Sequence, residues 1–437
     1  MVQIAFLTLF LGLTSGRQPV ALTVQGPVAT VELVLDGAAV VRIKGPSWRT
    51  KLDFGTALEP HELIARALDD KGLEVGRARQ VLNLPRPPAE VEILLENNAQ
   101  GTPAGARLTW RSLTGEKPAA VSLLLDGQPV VLDGNAHAAL PPVDLEVSHI
   151  LSAEVRFAGT VVARKDIGFG GRWGDEVSTE LTAVPVRLRP GKILPTAAAL
   201  QGWVLTDGKP VPVAAVEEGP AQLLIVRDNE ARLALEAYDR QRAGKSLQAG
   251  VSERLRFQLT LGKDDQIRFV WPSAKSFTGQ DVPAELFDAS RDYTGKDGGL
   301  LWLLGRSLPQ TDKTDQRLAD ATAVAGLQAL AGNRPRAVLL VLGYNAKDAS
   351  RYDAGAVRHY LESVRVPLII WALDKASLAA MAWGGAEDIS SLPKLESTFK
   401  KLDDELAWQR ILWVEGSHLP AAISLSPAAA EVMELVR

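Results

Sequence analysis

Helix-like and strand-like segments alternate between Gln316 and Asp374. The helix-like segments, QRLADATAVAGLQAL and AGAVRHYLESV, carry apolar residues three or four positions apart, which places them on one face of a helix. The strand-like segments, RAVLLVLG and VPLIIWALD, are apolar runs without polar alternation, as in strands that are buried on both faces of a parallel sheet. Because helices alternate with such strands, the segment predicts a doubly wound α/β domain.

Composition limits the classes of function. A chain of 437 residues has room for about two to four domains, and its 46% apolar content suffices for packed cores. The net charge is −4, and lysine and arginine are scattered, so no basic surface is available to attract nucleic acid. The chain has no cysteine, which excludes disulfides, thiol catalysis and thiolate metal sites.

The N-terminal run Ile4–Leu13 (IAFLTLFLGL) has the length of a signal-peptide core, and small residues follow it at Thr14–Gly16. We therefore expect residues 1–16 to be a signal peptide and the protein to be secreted or held in the periplasm or cell envelope of a bacterium. The alternative is an ordinary buried strand, since the residues before the run carry no positive charge. No other run predicts a membrane span.

A repeated pattern of short strands fills the first part of the chain. Val28–Val41 alternates around Asp36-Gly37, a strong hairpin signal, and Ala119–Val130 matches Ala29–Val40 in rhythm and turn. His149–Arg164 likewise echoes His61–Arg79. The pattern predicts two tandem β-sandwich modules, 18–86 and 88–185, which resemble immunoglobulin-like or fibronectin-like modules. The Pro- and Gly-punctuated residues 186–220 are expected to link or wrap without forming a core.

Residues 221–437 are assigned to the α/β domain. Leu255–Leu261 and Ile267–Trp271 predict a strand pair, and an apolar stripe from Leu395 to Leu406 predicts a helix that runs into the strand ILWV. The segment SPAAAEVMELV near the end predicts one more helix.

The order strand Ala221–Arg227, helix, strand pair, helix, strand Arg336–Gly343, helix, strand Val366–Asp374, helix resembles a von Willebrand factor A domain. The stretches DATAVAGLQALAGNRPRAVLLVLG and LESTFKKLDDELAWQRILWVEG resemble the bacterial subgroup of that family. The resemblance covers roughly Gly219–Leu419 and implies a Rossmann-like fold. It also implies that ligands meet the loops at the carboxyl ends of the sheet strands.

The family's metal-ion-dependent adhesion site is degenerate in this sequence. Its first aspartate is matched by Asp228, but Glu230 and Arg232 replace the two serines, and Thr314 is the nearest match to the threonine. After the fourth strand the chain reads Gly343-Tyr344-Asn345, so the acidic ligand is missing. Mg²⁺ requires several oxygen ligands in octahedral geometry, so we expect neither a metal nor another cofactor here.

Other patterns give no catalytic residue. The five histidines lack metal-ligand spacing, and no nucleophile elbow, Walker loop or dinucleotide-binding motif follows a strand. The acidic pairs fall in a linker, a turn and a helix face rather than in one enclosed cleft. Trp302 and Trp383 could line a groove, although packing in a core is the simpler interpretation.

The sequence therefore favours a non-enzymatic protein-binding, adhesion or assembly protein of the bacterial envelope, with the β-sandwiches as a spacer or docking arm. Two alternatives stay open: a metal-dependent receptor or hydrolase-like enzyme with Asp228 in a cleft, and a structural envelope component whose edge strands pack laterally. In the favoured interpretation a protein partner meets the carboxyl-edge loops. The residues expected there are Asp228, Glu230, Thr314, Tyr344, Asn345, Asp348 and Asp374.

Overall fold

The computed structural model describes residues 3–8, 10, 12–45, 47–85, 89–98, 102–112, 117–125, 128–145, 149–157, 162–170, 173–178, 181–248, 259–273, 287, 289–306 and 316–437. The chain divides into two compact units. The larger unit contains Met1–Pro85, Ala183–Val414 and His418–Arg437, and the smaller contains Arg86–Thr182 with Glu415–Ser417.

The first β-sandwich lies in the larger unit and consists of two antiparallel sheets. One sheet has the order β1-β2-β5 and the other the order β4-β3-β6-β7. The strands are β1 (Gln3–Phe6), β2 (Arg17–Gln25), β3 (Thr30–Leu35), β4 (Ala38–Lys44), β5 (Arg49–Asp53), β6 (His61–Leu68) and β7 (Glu74–Leu82). Asp36 and Gly37 both have positive φ, 50° and 82°, as a two-residue type I′ turn requires. The predicted hairpin is confirmed.

The N-terminal run is folded into this sandwich. β1 pairs antiparallel with β2, and the side chains of Phe6, Phe10 and Leu13 are buried. The run thus contains a strand and buried side chains, as in the alternative to a signal peptide given above. The first sandwich includes β1 and so begins before residue 18, the start that the sequence predicted. Cleavage of residues 1–16 stays a prediction.

The second β-sandwich, in the smaller unit, repeats the strand order of the first. Its sheets are β12-β9-β8 and β11-β10-β13-β14-β15, so each strand from β8 to β14 has a counterpart seven strands earlier. The buried Leu123 corresponds to Leu33, but the matching turn 126–127 lies outside the described residues. The strands are β8 (Ala89–Asn97), β9 (Pro103–Ser112), β10 (Ala120–Leu125), β11 (Gln128–Val130), β12 (His137–Ala139), β13 (His149–Arg156), β14 (Val162–Gly170) and β15 (Trp173–Ser178).

Residues 181–217 form a core rather than a linker, which corrects the sequence analysis. They contribute β16 (Leu181–Leu188), β17 (Val204–Thr206), β18 (Lys209–Pro210) and β19 (Val213–Glu217), with a 3-10 helix at Ala197–Leu200. Their partners are β25 (Gln409–Glu415), β26 (Ile423–Leu425) and β27 (Met433–Leu435), in sheets ordered β19-β25-β16-β27 and β18-β17-β26. We call this assembly the split β-domain, because its two halves flank the α/β domain in sequence.

Two further expectations change with the split β-domain. The strand that contains ILWV, β25, was expected to close the α/β domain but pairs antiparallel with β19. The segment SPAAAEVMELV was expected to be one helix. It forms a short helix, Pro427–Ala430, and then β27, because Met433 is buried in the same apolar core as Val186 and Leu412 and pairs with Leu188 of β16.

The α/β domain contains a sheet of order β21-β20-β22-β23-β24 in which every named strand pairing is parallel. At its edge, Tyr293 bridges Ile267 of β21 in antiparallel fashion. Of the expected strand pair, residues 251–258 lie outside the described residues. The strands are β20 (Gln222–Arg227), β21 (Gln266–Phe269), β22 (Arg336–Leu342), β23 (Leu368–Ala372) and β24 (Glu387–Asp388).

Helices cover both faces of this sheet, as predicted for a doubly wound domain. Side chains of β22 alternate between two cores: Val338 and Leu340 face α3 and α4, whereas Ala337 and Leu339 face α1, α2 and α6. None of the helices in the described ranges is both long and apolar enough to cross a membrane. The helices are α1 (Ala231–Gln248), α2 (Leu300–Arg306), α3 (Leu318–Ala331), α4 (Ala354–Ser363), α5 (Leu378–Ala382) and α6 (Leu392–Ala407), and Pro427–Ala430 is α7.

The first sandwich is packed against the α/β domain. Leu13 and Leu58 lie in the same apolar core as α3 and α4. The hydroxyl of the fully buried Tyr360 donates to the carbonyl of Asn83 at 3.0 Å, and the hydroxyl of Tyr352 donates to the carbonyl of Leu13 at 3.0 Å. A free spacer arm would not share a core with its neighbour. The expectation that the first sandwich is such an arm is therefore wrong.

Candidate functional site

The carboxyl ends of three neighbouring strands meet at one edge of the α/β sheet. Because β20, β22 and β23 are parallel, Asp228, Gly343 and Asp374, which follow them, lie along that edge. The edge is the place where open α/β sheets bind their ligands. The site residues predicted from the sequence belong to these loops, except Thr314, which lies outside the described residues.

Asp228 is fully buried, and hydrogen-bond donors occupy both of its carboxylate oxygens. Oδ1 accepts from Gln316 Nε2 at 2.8 Å and from the Glu230 amide at 3.2 Å. Oδ2 accepts from the Gly343 amide at 2.9 Å. Burial raises the pKa of the Asp228 carboxyl, and the three donors offset that effect only in part. Through the Gly343 amide, Asp228 therefore connects the carboxyl end of β20 with that of β22 by a hydrogen bond.

Gln316 is the residue of this site that the sequence did not reveal. Besides donating to Asp228, its side chain accepts from the Asn229 amide at 2.9 Å, so one amide group bridges two consecutive residues of the loop after β20. A buried glutamine at a predicted helix start carries no motif, and its role depends on a contact across 88 residues of sequence. No local signal could have found it.

Gly343 allows the two loops to approach each other. A Cβ at this position would lie 2.5 Å from Asp228 Oδ2 and 2.6 Å from Glu230 Cβ. Both distances are too short for a non-bonded contact of a Cβ atom. Only glycine at this position therefore allows the Gly343 amide to donate to the Asp228 carboxylate.

The residues around Asp228 do not suit a divalent cation. Mg²⁺ needs converging oxygen ligands, whereas N–H groups point at both carboxylate oxygens of Asp228. In the part of the chain that the structure describes, no group of three or more histidine or acidic side chains could hold a metal ion.

The predicted acidic residues at this edge bond to the protein's own backbone. Glu230 Oε2 accepts from the Asn345 amide at 3.1 Å. Asp348 accepts from the amides of Leu318 and Ala319 at 2.9 and 3.0 Å and so caps the start of α3. Asp374 accepts from the Ala376 amide at 2.9 Å in a local turn. These carboxylates shape the loops.

The same edge exposes large apolar side chains. Tyr344 is 51% exposed after β22, and Leu378 and Met381, in the helix that follows β23, are 86% and 63% exposed. Leu233 in the first turn of α1, after β20, is 61% exposed. Each of three adjacent loop regions thus presents an apolar group to solvent. Leu378 and Met381 are three positions apart on a helix, a signal that the sequence contained.

Of the two tryptophans that could have lined a groove, Trp383 is buried in the core beside α4, and Trp302 is partly exposed with the Arg306 guanidinium 5.9 Å from its ring centre. Packing is thus the role of Trp383.

Comparisons with known proteins give only remote likenesses to solved structures. No protein-family model and no curated protein sequence matches the chain. Fibronectin(III)-like modules of CbhA from Clostridium thermocellum match 40% of this chain over 97% of their own, with 12% identity and a TM-score of 0.16. The central fibronectin-III array of RIM-binding protein matches 48% of this chain over 78% of its own, with 13% identity and a TM-score of 0.23.

A third solved structure, SGBP-B of the Bacteroides ovatus mixed-linkage glucan utilization locus in complex with a mixed-linkage heptasaccharide, matches 42% of this chain over 73% of its own, with 11% identity and a TM-score of 0.14. Likenesses with TM-scores this low carry no argument about ligands or activity. The strand orders of the chain itself identify the two modules as β-sandwiches of the immunoglobulin-like and fibronectin-like kind, accompanied by an α/β domain with a parallel sheet.

Proposed function

We propose that the chain is a non-enzymatic protein-binding or assembly protein of the bacterial envelope, and that its α/β domain is von Willebrand A-like. The carboxyl edge of the sheet contacts an apolar patch on a protein partner. The observation that carries the proposal is the exposure of Tyr344, in the loop after β22, and of Leu378 and Met381, in the helix after β23. Aromatic residues and methionine are enriched in interfaces, and apolar side chains grouped at one edge favour a protein surface.

The hydrogen bonds beneath this surface favour binding over catalysis. A general acid or base must reach a substrate proton, but Asp228 is fully buried and its oxygens are occupied by internal donors. The capping bonds of Asp348 likewise hold the loop that precedes α4 in place. A pre-ordered edge lowers the entropy cost of association.

Site-specific photo-crosslinking in the producing cells tests the proposal. A photoreactive amino acid replaces Leu378 in the full-length chain, and a matched probe replaces Ile193, which is 88% exposed and lies in the split β-domain. We expect a discrete crosslinked protein at 378 that is absent at 193. Tyr344→Ser combined with Met381→Ser should remove that product without changing the melting temperature, because both side chains are exposed. Identical products at both positions, or products unaffected by the double change, would refute the proposal.

The metal-dependent alternative predicts that a cation stabilises the folded state. We expect Mg²⁺, Mn²⁺ and Ca²⁺ at millimolar concentration to leave the melting temperature of the full chain unchanged, because the donors around Asp228 repel a cation. A ligand that binds only the native state raises the melting temperature by mass action. A rise that is abolished by Asp228→Ala would therefore restore the receptor or enzyme interpretation.

The structural alternative requires sheet edges that can pair with other chains. In the four-stranded sheet of the first sandwich, the edge strand β7 carries Arg77, Arg79 and Glu74, and the opposite edge β4 carries Arg42 and Lys44. Charged side chains on edge strands oppose edge-to-edge pairing. This disfavours lateral pairing through that sheet. Cell fractionation of the full chain tests the envelope location.

A further inference from the structure

A cleft of about 490 Å³ lies in the larger unit, between the split β-domain and the α/β domain. Strands β16 and β27, helix α6 and Arg365, two positions beyond the end of α4, contribute to its walls. Its charged lining consists of Arg187, Arg189, Arg365, Arg437, Glu405 and Glu434, and the other lining residues are apolar.

The two carboxylates of the cleft, Glu405 and Glu434, form ion pairs with the arginines of β16. Arg187 Nε lies 3.3 Å from Glu405 and its Nη1 lies 3.8 Å from Glu434, while Arg189 Nη2 lies 3.9 Å from Glu434. Four guanidinium groups thus face two carboxylates, and the side chains leave positive charge in excess.

Arg365 has no such counter-charge. Its Nη2 donates to the carbonyls of Pro420 and Ile423, each at 2.7 Å, and within the described residues no carboxylate lies in ion-pair distance. Its Nε is buried and has no hydrogen-bond partner in the described part of the chain. Carbonyl groups solvate a guanidinium without neutralising it, so the lining retains a partly buried, uncompensated cation.

The backbone of Arg365 has a conformation that is unfavourable for an arginine. With a φ of 57° it adopts the left-handed conformation just beyond the end of α4, where glycine or asparagine is favoured. An arginine at this position carries a conformational cost that glycine avoids. Burial, together with the positive charge of Arg437, lowers the pKa of Arg365.

We propose that this cleft binds a small molecule through an oxyanion group, a phosphate, sulfate or carboxylate, held by Arg365 together with Arg187 and Arg189. Guanidinium groups form strong charge-assisted hydrogen bonds with such an oxyanion. The volume fits the range of roughly 300–1,000 Å³ that small-molecule sites occupy. The site shares no residue with the carboxyl-edge surface, so each proposal can fail alone.

The test measures thermal unfolding of the full chain in Tris chloride at constant ionic strength, titrated with inorganic pyrophosphate in one arm and with citrate in the other. The test variant is Arg187→Gln with Arg189→Gln. The control is Arg77→Gln with Arg79→Gln, which removes two arginines at the same spacing from β7 in the same unit.

We expect a saturable rise in melting temperature with at least one probe. The apparent Kd should weaken at least about tenfold in the test variant and less than about twofold in the control, because each hydrogen bond to a charged group contributes substantially. Arg365→Lys, which retains the charge but not the planar fork, should also weaken binding in calorimetric titration and provides a second test if the double variant does not fold.

Either probe acting alone supports the site and identifies its ligand class, phosphoryl for pyrophosphate or carboxylate for citrate. No rise beyond that of sodium chloride at equal ionic strength overturns the proposal. Equal weakening in the test and control variants also overturns it, because binding would then reflect overall charge.

Discussion

At the scale of single residues, Asp228 holds the carboxyl edge of the α/β sheet together. Asp228→Ala would leave the buried amide of Gly343 and the amide group of Gln316 without their acceptor. Unsatisfied buried donors are costly, so we expect a loss of about 3 kcal/mol in the free energy of unfolding. Denaturant titration of the full chain measures the loss.

The control for this prediction is Asp374→Ala at the same edge. Asp374 is exposed and, among the residues that the structure describes, its side chain bonds only to the Ala376 amide in its own turn, so its loss should change stability by less than about 0.5 kcal/mol. Equal effects of the two substitutions would mean that the donors around Asp228 find other partners.

His61 gives the first sandwich a pH-dependent contact. Its Nδ1 lies 2.7 Å from Asp36 Oδ2, and this hydrogen bond, with the charges of Asp36 and Glu59, raises the pKa of His61 although burial opposes it. The folded state therefore binds this proton more tightly than the unfolded chain does. The resulting stability is complete below the unfolded pKa, about 6.5, and is lost as the pH rises through the folded value.

We therefore expect wild type to exceed His61→Asn in unfolding free energy by more at pH 6 than at pH 8.5. In an Asp36→Asn background the same substitution should have an effect that depends less on pH, since the carboxylate that contributes most to the raised pKa of His61 is gone while Glu59 and burial remain. Denaturant titrations at the two pH values measure both differences. A difference that grows with pH would contradict the assigned direction of the pKa shift.

At the scale of elements, the N-terminal run behaves as part of a sandwich. Phe10 is buried, with its ring centre 5.2 Å from that of Phe54 in an edge-to-face pair, whereas Leu7 in the same run is 59% exposed. We expect Phe10→Ala to lower the unfolding free energy by about 3 kcal/mol and Leu7→Ala by less than about 0.5 kcal/mol. Denaturant titration of the two variants distinguishes a core strand, with unequal effects, from a dispensable leader, with none.

Elements specified by nearby residues could be predicted from the sequence. The Asp36-Gly37 turn, the repeated sandwich pattern and the apolar stripe of α6 were all correct because each depends on local geometry or periodicity. Strand β27 could not be predicted, because its partner β16 lies far away in sequence and the preceding alanines favour a helix. Gln316 was missed for the same reason: its function exists only after the fold has brought Asp228 to it.

At the scale of the whole molecule, the two repeated sandwiches differ in their surroundings. The first shares a core with α3 and α4 through Leu13 and Leu58, whereas the core of the second is formed by residues of its own unit. The matched buried residues Leu33 and Leu123 allow a direct comparison.

Leu33→Ala should accelerate hydrogen exchange in peptides covering β22, because destabilising the first sandwich also destabilises the α/β domain packed on it. Leu123→Ala should leave that exchange unchanged. Hydrogen-exchange mass spectrometry of the full chain measures both. Acceleration by both substitutions would indicate that the two units unfold together.

The split β-domain has a consequence for synthesis on the ribosome. Strands β16 and β19 are translated first, but their partners β25 and β27 emerge only after the entire α/β domain has been made. Until then the backbone groups of β16 and β19 that pair with β25 and β27 in the folded protein have no strand to pair with. The split β-domain can therefore complete its sheets only after the α/β domain, which lies between its two halves in sequence, has been synthesised.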